Sequence, residues 1–342
     1  MGIISINETI TKLTFRGKGI LATDESIENC NKSFAILGIP KTADSRRRYR
    51  EAIISTPGLE TLLNGVILVD ETFDQTDSEG IRLVDVLLNK GIIPGIKMDN
   101  GLSPMAGSKG EKLTVGFDGM DSRLETYVQK GALFAKWRAE FTIGQDTPSS
   151  QCIKGNSFLL ARFAVSCLQH GVVPVLEPEL MMQGPCSIQS CLKASSEILH
   201  TVINELYDHH INLQYVIINT NMILGNPDNI VEKSLQNSIA ENSINCFRAT
   251  VPAQIPTILL ISSSLSNELA SSLLGLMNNS GIDLPWNLSF SFYRAIQPHF
   301  LKIWNGHEKT KKEAQNYLYE QLSLACDASR GDRKSTDGPH HS

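Results

Sequence analysis

The sequence predicts an α/β chain folded as one closed (β/α)₈ barrel, and three observations predict it. Short apolar, β-branched runs alternate with longer amphipathic segments along nearly the whole chain. Eight such runs occur, each followed by a helical pattern. Several of them end in charged residues two apart: Lys97 and Asp99, Lys136 and Arg138, Glu177 and Glu179. Residues two apart share one face of a strand. A closed barrel collects such faces at its C-terminal mouth. An open doubly wound sheet would have to cover each pair separately.

Residues 1–15 read as a lead-in helix, 16–327 as the barrel and 328–342 as a polar tail. The first strand, 19–23, is carried by Ile20 and Leu21, and the second, 65–69, by Val66-Ile67-Leu68-Val69. The third, 92–97, ends on Lys97, and the fourth, 133–138, ends on Lys136-Trp137-Arg138. The fifth, 172–177, closes on Glu177, and the sixth, 215–219, runs Tyr215-Val216-Ile217-Ile218-Asn219. The last two lie at 257–262 and 287–292. Helices are expected between them at 83–90, 123–130, 157–170, 189–209, 230–251, 267–278 and 295–304. The 189–209 helix ends near Asp208-His209-His210, a solvated end where histidines complement the helix dipole. From Ala328 the chain turns polar and charged, so the tail is expected to be disordered.

Bulk properties narrow the function classes. Of 342 residues, 41% are apolar and 20% charged, an ordinary globular composition. A net charge of −5 argues against nucleic acid or an anionic membrane as the main partner. The seven cysteines form no C-x-x-C pair, so neither a zinc site nor a redox dithiol is expected. They read as small buried apolar residues in a reducing compartment. The N-terminus lacks a basic region followed by an apolar run, and Ile6 stands where a myristoylation signal needs Ser or Thr. No apolar stretch is long enough to span a bilayer. A cytoplasmic location is expected, without metal or cofactor.

The strand-end residues suggest chemistry. Asp24, Lys97, Asp99, Lys136, Arg138, Glu177, Glu179 and Arg294 are expected to converge on one cavity. Two lysines and two arginines there form an anion trap suited to phosphate. Close cations are expected to lower a lysine's pKa, which favours a nucleophilic or general-base role. Glu177 precedes Pro178 and could act as a general acid or base if desolvated. The bland alternative is a structural salt network beneath the loops.

Further motifs carry a resemblance. Arg47–Arg50 precedes Thr56-Pro57-Gly58-Leu59, and Gly65-Val66-Ile67-Leu68 and Gly95-Ile96-Lys97 follow. Then come Gly107-Ser108-Lys109-Gly110-Glu111, Gly116-Phe117-Asp118-Gly119-Met120, Glu177-Pro178-Glu179 and the 289–295 segment. In this order, from Gly17 to Cys326, the chain resembles the class I fructose-bisphosphate aldolases. The resemblance implies a TIM barrel, a tetramer and glycolytic cleavage of fructose 1,6-bisphosphate. The products would be dihydroxyacetone phosphate and glyceraldehyde 3-phosphate, formed through a lysine imine. It implies that Asp24 assists proton movement beside the imine, and that Lys97 and Lys136 hold substrate oxygens and a phosphate. Lys136 would also aid breakdown of the intermediate, Arg138 would face the distal phosphate, and Glu177, supported by Glu179, would dehydrate the carbinolamine. Ser262 and Arg294 would bind the phosphate next to the ketone, with Ser263, Ser264 and Ser291 completing that set. Lys32 and Ser33 would belong to the other phosphate site.

The same resemblance marks departures. Asn219 stands where the family has its imine lysine. An amide nitrogen has a delocalised lone pair and cannot capture a ketone as an amine does. Ser263 and Ser264 replace glycines that let backbone N–H groups approach phosphate, and a left-handed backbone there would be strained. Tyr293 replaces a glycine before Arg294, and its ring is expected to fill the phosphate pocket. Glu28, Asn29 and Ser33 replace residues that serve the other phosphate. The expectation is a catalytically impaired or inactive homologue acting by binding or assembly, in a homo- or hetero-tetramer with paralogues. The alternative is an active aldolase with Lys136 as nucleophile.

Overall fold

The computed structural model describes residues 5–108, 110–182, 184, 186–225, 230 and 232–331. Its strands are β1 (Gly19–Ala22), β2 (Leu63–Leu68), β3 (Ile93–Lys97), β4 (Leu102–Pro104), β5 (Lys112–Thr114) and β6 (Phe134–Ile143). They continue with β7 (Val173–Met182), β8 (Ile217–Thr220), β9 (Thr257–Ile261) and β10 (Asn287–Ser291). Eight of these lie side by side, all parallel, in the order β1-β2-β3-β6-β7-β8-β9-β10. The last strand returns to the first. Ser289 Oγ donates to the Lys18 carbonyl at 2.7 Å, and a Cβ on Gly19 would lie 2.4 Å from the Phe290 ring. The eight strands therefore form a nearly closed TIM barrel, as the alternating pattern predicts. The antiparallel pair β4–β5 is an insertion that the strand count overlooks. It leans on β6 through Thr114 Oγ1, which donates to the Arg138 carbonyl at 2.8 Å.

The barrel interior is filled by a cluster of apolar side chains. Ile20, Ile67, Ile93, Phe134, Val173, Val175, Ile217 and Leu259 pack together there with Ile10 and Leu13. The last two come from α1 (Ile6–Leu13), which seals the N-terminal end of the barrel. Asn64 fixes it, donating to the Leu13 carbonyl at 3.1 Å and the Phe15 carbonyl at 2.8 Å. Phe134 needs room that only glycine leaves: a Cβ on Gly95 would meet its ring at 2.3 Å.

The outer layer comprises α2 (Ile27–Ile36), α3 (Ala43–Ile54), α4 (Asp70–Phe73), α5 (Leu83–Asn89), α6 (Met120–Lys130) and α7 (Ser150–Gln169). It is completed by α8 (Ile188–Asp208), α9 (Lys233–Thr250), α10 (Asn267–Asn278), α11 (Gln297–Trp304) and α12 (Lys311–Arg330). Ser26, Thr42, Ser149, Ser187 and Ser266 cap helices by accepting the N–H three residues on. No helix among the described residues is long and apolar enough to cross a membrane.

Several boundaries differ from expectation, among them the start of α7, at Ser150 rather than at residue 157. Strands β6 and β7 run ten residues each, past Arg138 and Glu177, because their polar residues pair across the ladder. Arg138 stands opposite Glu177 and Glu140 opposite Glu179, so the charges extend the sheet rather than end it. Helices α2, α3 and α12 are not among the expected helices, although α12 buries a stripe of Ala314, Leu318, Leu322, Ala325 and Cys326. Helix α12 also continues through Arg330, which makes residues 328–330 helical rather than part of a disordered tail. Ser329 Oγ donates to the Leu288 carbonyl at 3.4 Å, and residues 332–342 lie outside the described residues.

Candidate active site

The parallel strands deliver their polar ends to one mouth. Lys97 on β3 lies opposite Lys136 on β6. Lys136 is 4% exposed, with Nζ 2.7 Å from Asp24 Oδ2 and 2.9 Å from Glu177 Oε2. That same Glu177 oxygen accepts from Asn219 Nδ2 at 2.6 Å. One carboxylate oxygen of β7 thus holds an ammonium from β6 and an amide from β8. Asn219 is fully buried, and its Oδ1 has no hydrogen-bond partner among the described residues.

A second layer of charge surrounds this centre. The Arg138 guanidinium grips Glu179 through Nε and Glu140 through Nη2, the latter at 3.1 Å. Glu179 also receives Arg294 Nη1 at 3.2 Å. Lys97 pairs with Asp99 at 3.2 Å. The strand-end charges do converge, and they are also salt-bridged to one another. The site and the structural salt network are therefore the same object.

The electrostatics assign roles. Burial alone would strip Lys136 of its proton, but the Asp24 and Glu177 carboxylates outweigh it and push its pKa above the ordinary lysine value. This reverses the expectation that cationic neighbours would lower it, since the groups touching Nζ are anions. Burial pushes the Glu177 carboxyl up, only partly opposed by Lys136, with Glu179 and Asp24 adding to the rise. Burial also acts against the Asp24 carboxylate, yet Lys136 and Lys97 hold it below its usual range. The Asp24 carboxyl is thus held below its usual range and the Glu177 carboxyl above it.

The remaining predicted residues are spread around the rim. Ser262 is buried at the end of β9, and Ser264 is exposed. Ser263 takes the left-handed conformation, φ 51°. For a residue with a Cβ this costs about 1–2 kcal/mol. Asn221 holds it: Nδ2 donates to Ser263 Oγ at 2.7 Å, while Oδ1 accepts the Leu180 N–H at 2.6 Å. Ser291 is buried with Oγ unpartnered among the described residues. Arg294 remains largely exposed beyond its tie to Glu179. Lys32 pairs on the surface with Glu28 of its own helix at 2.7 Å. No described hydrogen bond brings Lys32 or Ser33 to the strand-end cluster.

Tyr293 is a correction. Its ring does not fill the mouth. The hydroxyl meets that of Tyr49 at 2.5 Å, and Tyr49 packs on Phe34, Phe300 and Trp304 in the helical layer. Burying the ring among aromatics and pairing its hydroxyl satisfies both halves of a tyrosine. Sequence reasoning also missed Glu140 and Asn221. Glu140 continues the every-second-residue series Lys136, Arg138, which was the available signal. Asn221 had none, because its partners are brought by β7 and β9.

The fold and this lysine–carboxylate centre place the chain among TIM-barrel proteins of the aldolase class. The family model for class-I fructose-bisphosphate aldolase matches residues 5–341. The chain belongs to the class I fructose-bisphosphate aldolase family. It is 39% identical over 323 residues to a probable fructose-bisphosphate aldolase class 1 of Xanthomonas axonopodis pv. citri, covering 94% of this chain and 96% of that protein. It is 39% identical over 326 residues to the cytosolic fructose-bisphosphate aldolase 6 of Arabidopsis thaliana, covering 94% and 90%. Among solved structures, the fructose-bisphosphate aldolase of Plasmodium falciparum, in complex with TRAP and a small-molecule inhibitor, matches with a TM-score of 0.92. That match is at 33% identity and covers 96% of this chain and 95% of the other.

Proposed function

We propose that this chain is an aldolase-family protein that holds sugar phosphate without capturing its ketone covalently. It acts by binding, or by assembly with itself or catalytic paralogues as a cytoplasmic tetramer. One observation carries this reading: beside Glu177 the side chain offered from β8 is an amide, Asn219, already donating to that carboxylate at 2.6 Å. We place it where the family's imine lysine stands. The rest of the mouth keeps the means of holding a bisphosphate. Arg138, Lys97 and Arg294 supply positive charge, Ser262 a hydroxyl, and Glu177 an exchangeable proton.

Without an imine there is no electron sink for the carbon–carbon bond to break into. Losing a catalytic nucleophile costs about 10⁶ in turnover in a serine protease, which sets the scale expected here. The alternative, an imine on Lys136, requires that amine to shed its proton between two carboxylates, and the raised pKa opposes this.

The test is fructose 1,6-bisphosphate cleavage by the parent protein and by Asn219→Lys. We expect the parent to fall far below the roughly 1–10³ per second of ordinary enzymes, and the variant to gain turnover. Borohydride reduction with dihydroxyacetone phosphate should leave no adduct on the parent and one on the introduced lysine. An adduct on Lys136 or Lys97 of the parent sinks the reading.

A further inference from the structure

We propose that Cys186 and Cys191 form a reversible intramolecular disulfide at the barrel mouth when the protein meets a hydroperoxide. The two sulfurs lie 2.9 Å apart. A disulfide bond is about 2.0 Å long, so closure needs roughly 0.9 Å of sulfur travel. Six of the seven cysteines are buried, and Cys186 is the one that is not. It lies in the segment leading from β7 to α8, and Cys191 lies in the opening turns of α8 behind it. Ser187, between them, caps α8 by accepting the Ser190 N–H at 3.1 Å, which curls the chain so that residues five apart meet.

The surroundings fit a two-step oxidation. Burial and the adjoining Cys186 push the Cys191 thiol up to about 12, so Cys191 waits as a protonated partner. Cys186, the accessible sulfur, meets the oxidant. Its thiolate attacks one peroxide oxygen, breaking the O–O bond and giving a sulfenic acid and hydroxide (or alkoxide). Cys191 sulfur then attacks the sulfenic sulfur. The hydroxyl leaves and takes up the Cys191 proton as water. Two sulfurs are each oxidised by one electron and the peroxide oxygens are reduced to match. A neighbour at 2.9 Å outcompetes a thiol on another molecule through its effective concentration.

The bond would tie the segment after β7 to the first turn of α8. Cys191 sulfur faces the Gly225 backbone N–H, beyond β8, and a Cβ on Gly225 would meet the Ile188 nitrogen at 2.9 Å. Oxidation therefore stiffens the segment that follows the strand bearing Glu177, beside Gly225 of the loop that follows Asn219. The loop enclosed is short, so little is added to global stability.

The full-length protein is treated with a few equivalents of hydrogen peroxide, alkylated, digested and analysed by mass spectrometry. We expect loss of two of the seven thiols, a peptide spanning Cys186 and Cys191 lighter by two hydrogens, and recovery with dithiothreitol. In Cys186→Ser, Cys191 should stay fully alkylatable. Sulfinic acid on Cys186 with Cys191 still free overturns the proposal, as do covalent dimers through Cys186 or seven unchanged thiols.

Discussion

Glu177 Oε2 serves two donors, Lys136 at 2.9 Å and Asn219 at 2.6 Å, on a residue that is 4% exposed. Its raised pKa has a consequence for stability. The native state holds this proton more tightly than the unfolded chain, whose value is near 4.5, so stability falls as pH climbs from 4.5 through the folded value. Glu177→Gln removes that titration. Urea denaturation at about pH 4 and about pH 8 should show the variant gaining on the parent as pH rises. Asp24 has the opposite sign: its contribution is present above 3.8 and lost as pH falls through the lower folded value. Asp24→Asn should therefore flatten the acid limb. Which residues meet here was legible in the strand-end pattern, but how they pair was not. Lys136 has cations nearby in sequence, yet its partners Asp24 and Glu177 come from other strands. The C-x₄-C spacing of Cys186 and Cys191 likewise carried no signal until a helix cap folded it together.

At the scale of the element, interior packing sets the tolerances. Gly95 and Phe134 sit on neighbouring strands, and the ring occupies the space a methyl group would need. Phe134 is fully buried and cannot swing aside. Gly95→Ala should destabilise by about 1–3 kcal/mol through overpacking. Adding Phe134→Leu should recover part of that loss, as read from denaturant midpoints. The eight barrel strands were legible because strands buried on both faces read as continuous apolar runs. Helix α3 was not, because its buried face uses Tyr49 and Arg50 beside Ala52 and Ile53. Arg50 is tolerated there because Glu25 lies 3.1 Å away, a pairing that no periodicity announces.

At the scale of the molecule, frame and chemistry separate. The barrel order, the interior cluster and the capped helices need nothing from Asn219. A family fold can therefore persist while its reaction changes. If assembly is what the frame now serves, native mass spectrometry should find the 37.6 kDa chain as a four-fold species, and mixing with a catalytic aldolase should yield mixed tetramers. A species that stays at one chain throughout would remove assembly and leave only binding. The surface that would decide this is not singled out by any local feature of the sequence.

Helix α1 gives the molecule a direction. Ile10 and Leu13 stop the lower end, and Asn7 is tied to Tyr215 at 2.7 Å before β8. The packed interior and α1 thus close the barrel on the side away from the strand-end charges. Arg138, beside Glu177, and Arg294, on Glu179, stand on the opposite, strand-end side. A sugar phosphate held there would meet the two arginines first, and weakening either should speed its departure without touching the apolar floor.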